Sequence, residues 1–256
     1  MRKRQKLVLT AFSLAVLLLG VQLVGLEIRY ILIGVLGVVT WLLASWSLKE
    51  GLVGIEWLTV TLPTVLFTVS VGLFYILLPQ EWWARLLIAL IFGVGQYALL
   101  LSANIFSVAA IRTIALFRAA SAVGFVMALV TAFFLFDTIL SFRPPFYFVG
   151  LYTFLTGFFL LLPALWSVEL FPQLNARVWT FSLFLALAMG MLSTAICFWP
   201  ISTSVASLFL STMLYVILGI SQHHFSDRLF NRTALEYVTV GLAVTVTMLL
   251  TAGWGV

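Results

Sequence analysis

From Leu86 to Ile111 the chain runs 26 residues without a charge, and beyond Arg112 and Arg118 a second uncharged run reaches Asp137. Such runs leave few folds open. In hydrocarbon a segment must satisfy its own backbone polar groups, so a helix is the natural form. At about 1.5 Å per residue the first run would be about 39 Å long. A bilayer core of about 30 Å takes only about 20 residues. The span is therefore expected to end near Ser102 or Asn104, with the rest at the membrane surface. No Gly or Pro interrupts Ala103 to Ser121, so nothing in the backbone chemistry stops the helix there. The polar residues Asn104, Ser107, Arg112, Thr113 and Arg118 do not gather on one helical face, which weakens a surface-lying amphipathic helix. A short interfacial connection, with Arg112 and Arg118 snorkelling to headgroups, is the plainer expectation. A binding site for an acidic partner or lipid head is the sharper one.

Composition extends this pattern to the whole chain. Of 256 residues, 64% are hydrophobic and 8% charged, against about 25% charged in ordinary soluble domains. The expectation is a single transmembrane domain, an all-α polytopic bundle of about nine helices. The spans fall at about 7–26, 30–48, 57–78, 86–104, 119–140, 146–168, 178–199, 201–220 and 237–254. The run after Met1-Arg-Lys-Arg-Gln-Lys6 lacks a small-x-small cleavage pattern and is long for a signal peptide, so it is expected to be a retained first span. Pro144 and Pro145 close the turn after span five. Pro200 suits the first turn of span eight. Thr233-Ala-Leu-Glu236 has capping-box spacing for the last span. Pro63 and Pro163 lie within spans three and six, where kinks are tolerated in protein-packed surroundings.

The stretch from Ala103 to Arg118, Ala-Asn-Ile-Phe-Ser-Val-Ala-Ala-Ile-Arg-Thr-Ile-Ala-Leu-Phe-Arg, resembles a family of bacterial multi-pass membrane proteins known only as uncharacterised. The likeness continues to Pro145. It implies a polytopic helical fold and no activity.

Basic residues in short loops set orientation. With the N-terminus inside, the inner loops carry Arg2, Lys3, Arg4, Lys6, Lys49, Arg112, Arg118, Arg177, Arg228 and Arg232, and the outer loops Arg29, Arg85 and Arg143. The acids leave the outer face neutral, so the net charge of +5 falls on the inner face. Anionic headgroups account for that asymmetry without nucleic acid. The reading is a bacterial inner-membrane protein, N-terminus inside and C-terminus outside.

Small residues recur every fourth position: Ala120, Gly124, Ala128 and Ala132 on span five; Ser182, Ala186, Gly190 and Thr194 on span seven; Thr203, Ser207 and Ser211 on span eight; Ala243, Thr247 and Thr251 on span nine. Close approach along such lines holds membrane helices together, within one chain or between copies or partners.

Few residues offer chemistry. Asp137 is the only acid inside a hydrophobic span, three residues before its end, and such residues are functional candidates by default. An ion pair with Arg143, Arg85 or Arg29 is the expected role, a substrate or proton site the alternative. His223, His224 and Asp227 could place two metal ligands at i,i+4. Without further ligands, a solvated loop with a local His–Asp contact is the plainer expectation. Gln96 and Asn104 are each expected to make one helix–helix hydrogen bond, with the lining of a polar path as the alternative. The sequon Asn231-Arg-Thr233 falls on the predicted inner side.

Other chemistry is set aside. The sequence has no His-Glu-x-x-His, Gly-x-Ser-x-Gly, P-loop or Gly-x-Gly-x-x-Gly pattern. Its one cysteine, Cys197, allows no internal disulfide and no multi-cysteine metal site. No cofactor or catalytic residue is expected. The expected role is a non-catalytic bundle organising lipid or partner subunits. A carrier or flippase for an apolar or lipidic substrate comes second, a lipid-modifying enzyme third.

Overall fold

The computed structural model describes residues 3–49, 51–52, 54–78, 81–109, 116–170, 173 and 175–253, with the side chains of 108 and 109 left aside. Arg112 lies outside the described residues. The elements in order are α1 (Lys3–Gln22), α2 (Leu26–Leu48), α3 (Glu56–Thr59), α4 (Leu62–Ile76), α5 (Trp82–Ala109), α6 (Phe117–Ser141), α7 (Phe146–Glu169), α8 (Ala176–Ile196), α9 (Thr203–Phe225) and α10 (Asn231–Thr251). Among the described residues nine helical segments are long and apolar enough to cross a membrane, α3 and α4 together making one. The chain is a polytopic all-α membrane protein.

It divides into two compact units, parted within α6 between Thr131 and Ala132. In the first, α1 packs on α5 and α2, and α2 packs on α4. The core of this unit includes Leu14, Leu18, Phe92 and Leu100, each fully buried. Thr40 and Thr68 are buried and join α2 to α4 by a hydroxyl–hydroxyl bond of 3.2 Å. Span three breaks where Pro63 enters. α3 ends at Thr59, and α4 resumes with Pro63 in its first turn, where the missing N–H has no intrahelical partner to lose. Pro163 leaves α7 unbroken.

In the second unit α7 and α8 form the closest pair. The span-seven line does what its spacing predicts. Ser182 and Ala186 are fully buried, the Thr194 side chain lies against Gly150, and a methyl group on Gly157 would rest 3.6 Å from the Ala186 backbone. On α9, Ser207 and Ser211 are buried too. The α10 line does not follow: Ala243, Thr247 and Thr251 are exposed, and α10 meets α9 through Gly241 and Met248 instead.

α5 continues past Asn104 to Ala109, as the lack of Gly or Pro from Ala103 onward allows. Ser102, Ala103 and Ser107 are buried, so protein covers these last turns. Other boundaries depart from expectation. Span eight opens at Thr203, past Pro200, whose carbonyl instead accepts from the Gly253 N–H at 3.0 Å. α10 opens at Asn231, so Thr233 lies inside the helix and caps nothing. Its partner in the expected capping box, Glu236, pairs with Arg232 one turn earlier at 3.6 Å.

Candidate functional site

α6 approaches its end through Phe134-Leu-Phe-Asp137, and its last turns belong to the second unit. Asp137 is only 9% exposed. The Ser207 hydroxyl of α9 donates to Asp137 Oδ1 at 2.9 Å, with the Ser204 carbonyl 3.1 Å away as its other acceptor. A hydroxyl has one hydrogen and two acceptor lone pairs. That one hydrogen goes either to the Asp137 carboxylate or to the Ser204 carbonyl. The expected ion pair is absent among the described residues, and the serine stands in its place. Arg143 is exposed and pairs with no carboxylate among the described residues.

One turn beyond Asp137 lies a cavity of about 270 Å³. Leu140, Arg143 and Pro144 line it from the end of α6, Ile196, Cys197 and Trp199 from the end of α8, and Thr203 and Ala206 from the start of α9. Asp137 and Leu140 are three apart, and Thr203 and Ser207 four apart, so each pair shares a helix face. The Asp137–Ser207 bond thus sits beneath the cavity by about one turn. Arg143 is held at its rim by a left-handed turn (φ 48), its N–H bonded to the Leu140 carbonyl at 3.2 Å.

His223 and His224 mark the other end of α9. They are not on a loop, because the helix runs to Phe225. Asp227 takes the left-handed position after the helix (φ 53), with its N–H on the His224 carbonyl and the Arg228 N–H on the His223 carbonyl. This double closure is the Schellman stop, usually made by glycine. It removes Asp227 from helical register with His223, so the i,i+4 metal geometry is lost. No group of three metal-binding side chains occurs among the described residues. The expected His–Asp contact is replaced by Arg177, whose Nη2 lies 3.1 Å from His224 Nε2. A guanidinium can only donate, so Nε2 is the acceptor in this contact. Arg177 also lies 4.6 Å over the Phe225 ring and 3.9 Å from Glu169. His223 packs against Tyr237 at 5.8 Å.

In the first unit Gln96 is fully buried, and neither amide atom has a hydrogen-bond partner among the described residues. The helix–helix bond expected of it is not made. Asn104 is half-buried with its Oδ1 unpartnered, while its carbonyl accepts from Ser107 at 3.0 Å. Arg118 is exposed.

Arg29 escaped the sequence reading, which placed it in an outer hairpin. It is 3% exposed, and its Nη2 donates to the carbonyls of Gln22 and Val24 at 3.0 and 2.8 Å. Those carbonyls lie at and just past the end of α1, where a helix has no donors left to offer. An arginine four residues after a three-residue turn was the available signal.

A family model described as "Protein of unknown function (DUF5656)" matches residues 53–251. No curated protein and no solved structure matches the chain.

Proposed function

We propose, for a chain that belongs to the DUF5656 family of proteins of unknown function, the role of a non-catalytic membrane bundle that organises lipid or partner subunits. It would sit in a bacterial inner membrane with its N-terminus inside, its basic inner loops against anionic headgroups. One observation carries this reading. The small-residue lines of α8 and α9 are spent on packing within the second unit, whereas that of α10 faces outward. Only 11% of the α10 span is buried, and Ala243, Thr247 and Thr251 would let another helix backbone approach closely.

Native mass spectrometry of the protein released from its own membranes in mild detergent tests it. A second copy or a defined partner at fixed stoichiometry is expected, lost in Thr247→Trp. A lone chain retaining one small solute at fixed stoichiometry overturns the reading in favour of a carrier.

A further inference from the structure

We infer that Arg177 is a pH-operated latch: while His224 is neutral it ties the start of α8 to the end of α9, and when His224 takes a proton it passes to Glu169 at the end of α7. The device lies within the second unit and stands whichever way the chain is oriented. With the N-terminus inside, as proposed above, it reads the acidity of the inner compartment.

Three helix ends meet at this guanidinium. Its Nη2 lies 3.1 Å from His224 Nε2, its carbon 4.6 Å over the Phe225 ring, and its Nη1 3.9 Å from Glu169 Oε1. Helix electrostatics favour neither charge where it stands. Arg177 is the second residue of α8, where the macrodipole disfavours a cation, and Glu169 is the last of α7, where it disfavours an anion. Their places are explained by what they face. Glu169 Oε2 is buried without a hydrogen-bond partner among the described residues. At 3.9 Å its Oε1 is paired with Arg177 by charge but beyond hydrogen-bond length. The carboxylate can therefore take the guanidinium closer, and the bond to His224 is what Arg177 keeps instead.

Once His224 is charged, the two partners can no longer be shared. An imidazole accepts only at a nitrogen without a proton, and both nitrogens of an imidazolium donate. Two cations would then face each other across the same 3.1 Å contact, and their repulsion adds to the lost hydrogen bond. Histidine is the side chain whose charge changes between about pH 5 and 8. α9 packs against α7, α8 and α10. α8 brings Arg177 itself and α7 brings Glu169. α10 brings the exposed Arg232–Glu236 pair, bonded within its own helix, and Tyr237, which faces His223. His223, Asp227 and Arg228 stand on α9 and its stop. Of these groups only Glu169 is within ion-pair reach of Arg177 among the described residues. Arg177 moves rather than the ring, because His224 stays stacked on Phe181 at 5.9 Å, an aromatic face that also suits a cation. Gln222 Nε2 donates to the Ala164 carbonyl at 3.1 Å and keeps α9 on α7. The turn beyond it, from His223 to Arg228, is the part that loses its tie to α8.

Hydrogen exchange of the full-length protein in phosphatidylglycerol nanodiscs, read by mass spectrometry, tests the latch. Protection of the segment from His223 to Arg228, taken relative to an unfolded chain at the same pH, should fall several-fold between about pH 8 and about pH 5. His224→Gln keeps an acceptor that does not titrate, and should hold the high protection at both pH values. Arg177→Met should show the low protection at both. His223→Gln should keep the wild-type fall, which separates the two adjacent histidines. In Glu169→Gln the freed guanidinium has no carboxylate to move to, so the fall should shrink, and an undiminished fall refutes the transfer. Unchanged protection around the fully buried Leu210 and Leu214 shows each variant folded. Equal wild-type protection at both pH values, or a fall that survives in His224→Gln, would overturn the inference. Either result leaves the α10 partner surface untouched, because that reading is decided by stoichiometry.

Discussion

A single methyl group at Gly190 measures how tightly the second unit is closed. Built onto Gly190, a Cβ would lie 2.9 Å from the Gly150 carbonyl oxygen and 3.0 Å from Phe154 Cβ. Neither obstacle is the free end of a flexible chain, so α7 and α8 must part by about half an ångström to restore ordinary contact near 3.5 Å. Gaps of 0.5–1 Å forfeit about a quarter to a half of each dispersion contact along the seam, and overpacking of this kind costs about 1–3 kcal/mol. Alanine recovers up to about 1 kcal/mol of helix propensity over glycine. The expected net loss for Gly190→Ala is therefore about 1–2 kcal/mol, and Gly190→Val should lose more than about 3. Gly34 on α2 is the control, exposed and with nothing within 4 Å of its added Cβ. Gly34→Ala should be neutral or gain up to about 1 kcal/mol. The assay is unfolding in mixed micelles by SDS titration, read from the nine tryptophans. If Gly190→Ala ranks with Gly34→Ala, the close α7–α8 seam is not what holds the unit together.

Gln96→Leu removes an amide that is buried and unpartnered among the described residues. It should raise stability by about 1–3 kcal/mol in the same titration; a loss of that size would show that the amide has work to do. Arg29→Met keeps most of the side-chain volume but surrenders both carbonyl bonds, and a loss of about 1.5–3 kcal/mol per charged bond is expected from the unfolding midpoint. Cys197 is exposed at the end of α8, which lies outside if the proposed orientation, N-terminus inside, holds. A membrane-impermeant maleimide should therefore label it in intact cells, and labelling only after the membrane is opened would reverse the orientation.

How much of this was legible beforehand depended on the kind of signal. Hydropathy pointed to about nine spans, and nine helical segments among the described residues are long and apolar enough to cross, because length and composition alone decide that. Ends were less legible, because they depend on what the last turn touches. The last turns of α5 are covered by protein at Ser102, Ala103 and Ser107, which hydropathy cannot register. The four-residue spacing on α8 was informative because α7 offers matching glycines, whereas the same spacing on α10 faces outward. Spacing shows that a helix can be approached closely and leaves open by what. Asp137 stood out by being rare. Ser207 as its partner did not, because 70 residues separate them and serines every fourth position on α9 looked alike. Arg29 misled because a basic residue beside a hairpin normally reaches for water, and only the folded hairpin shows two carbonyls nearer at hand.

That arginine bears on how the chain enters a membrane. Alone, α1 would bring its terminal carbonyls into lipid without donors, and alone, α2 would bring a cation. Paired across Leu23 to Gly25, each cancels what makes the other costly. The first two helices are therefore better suited to leave the insertion machinery together than in turn. A ribosome stalled while it still encloses α2 should hold α1 beside the machinery, and one stalled after Leu48 has left its exit tunnel should release both.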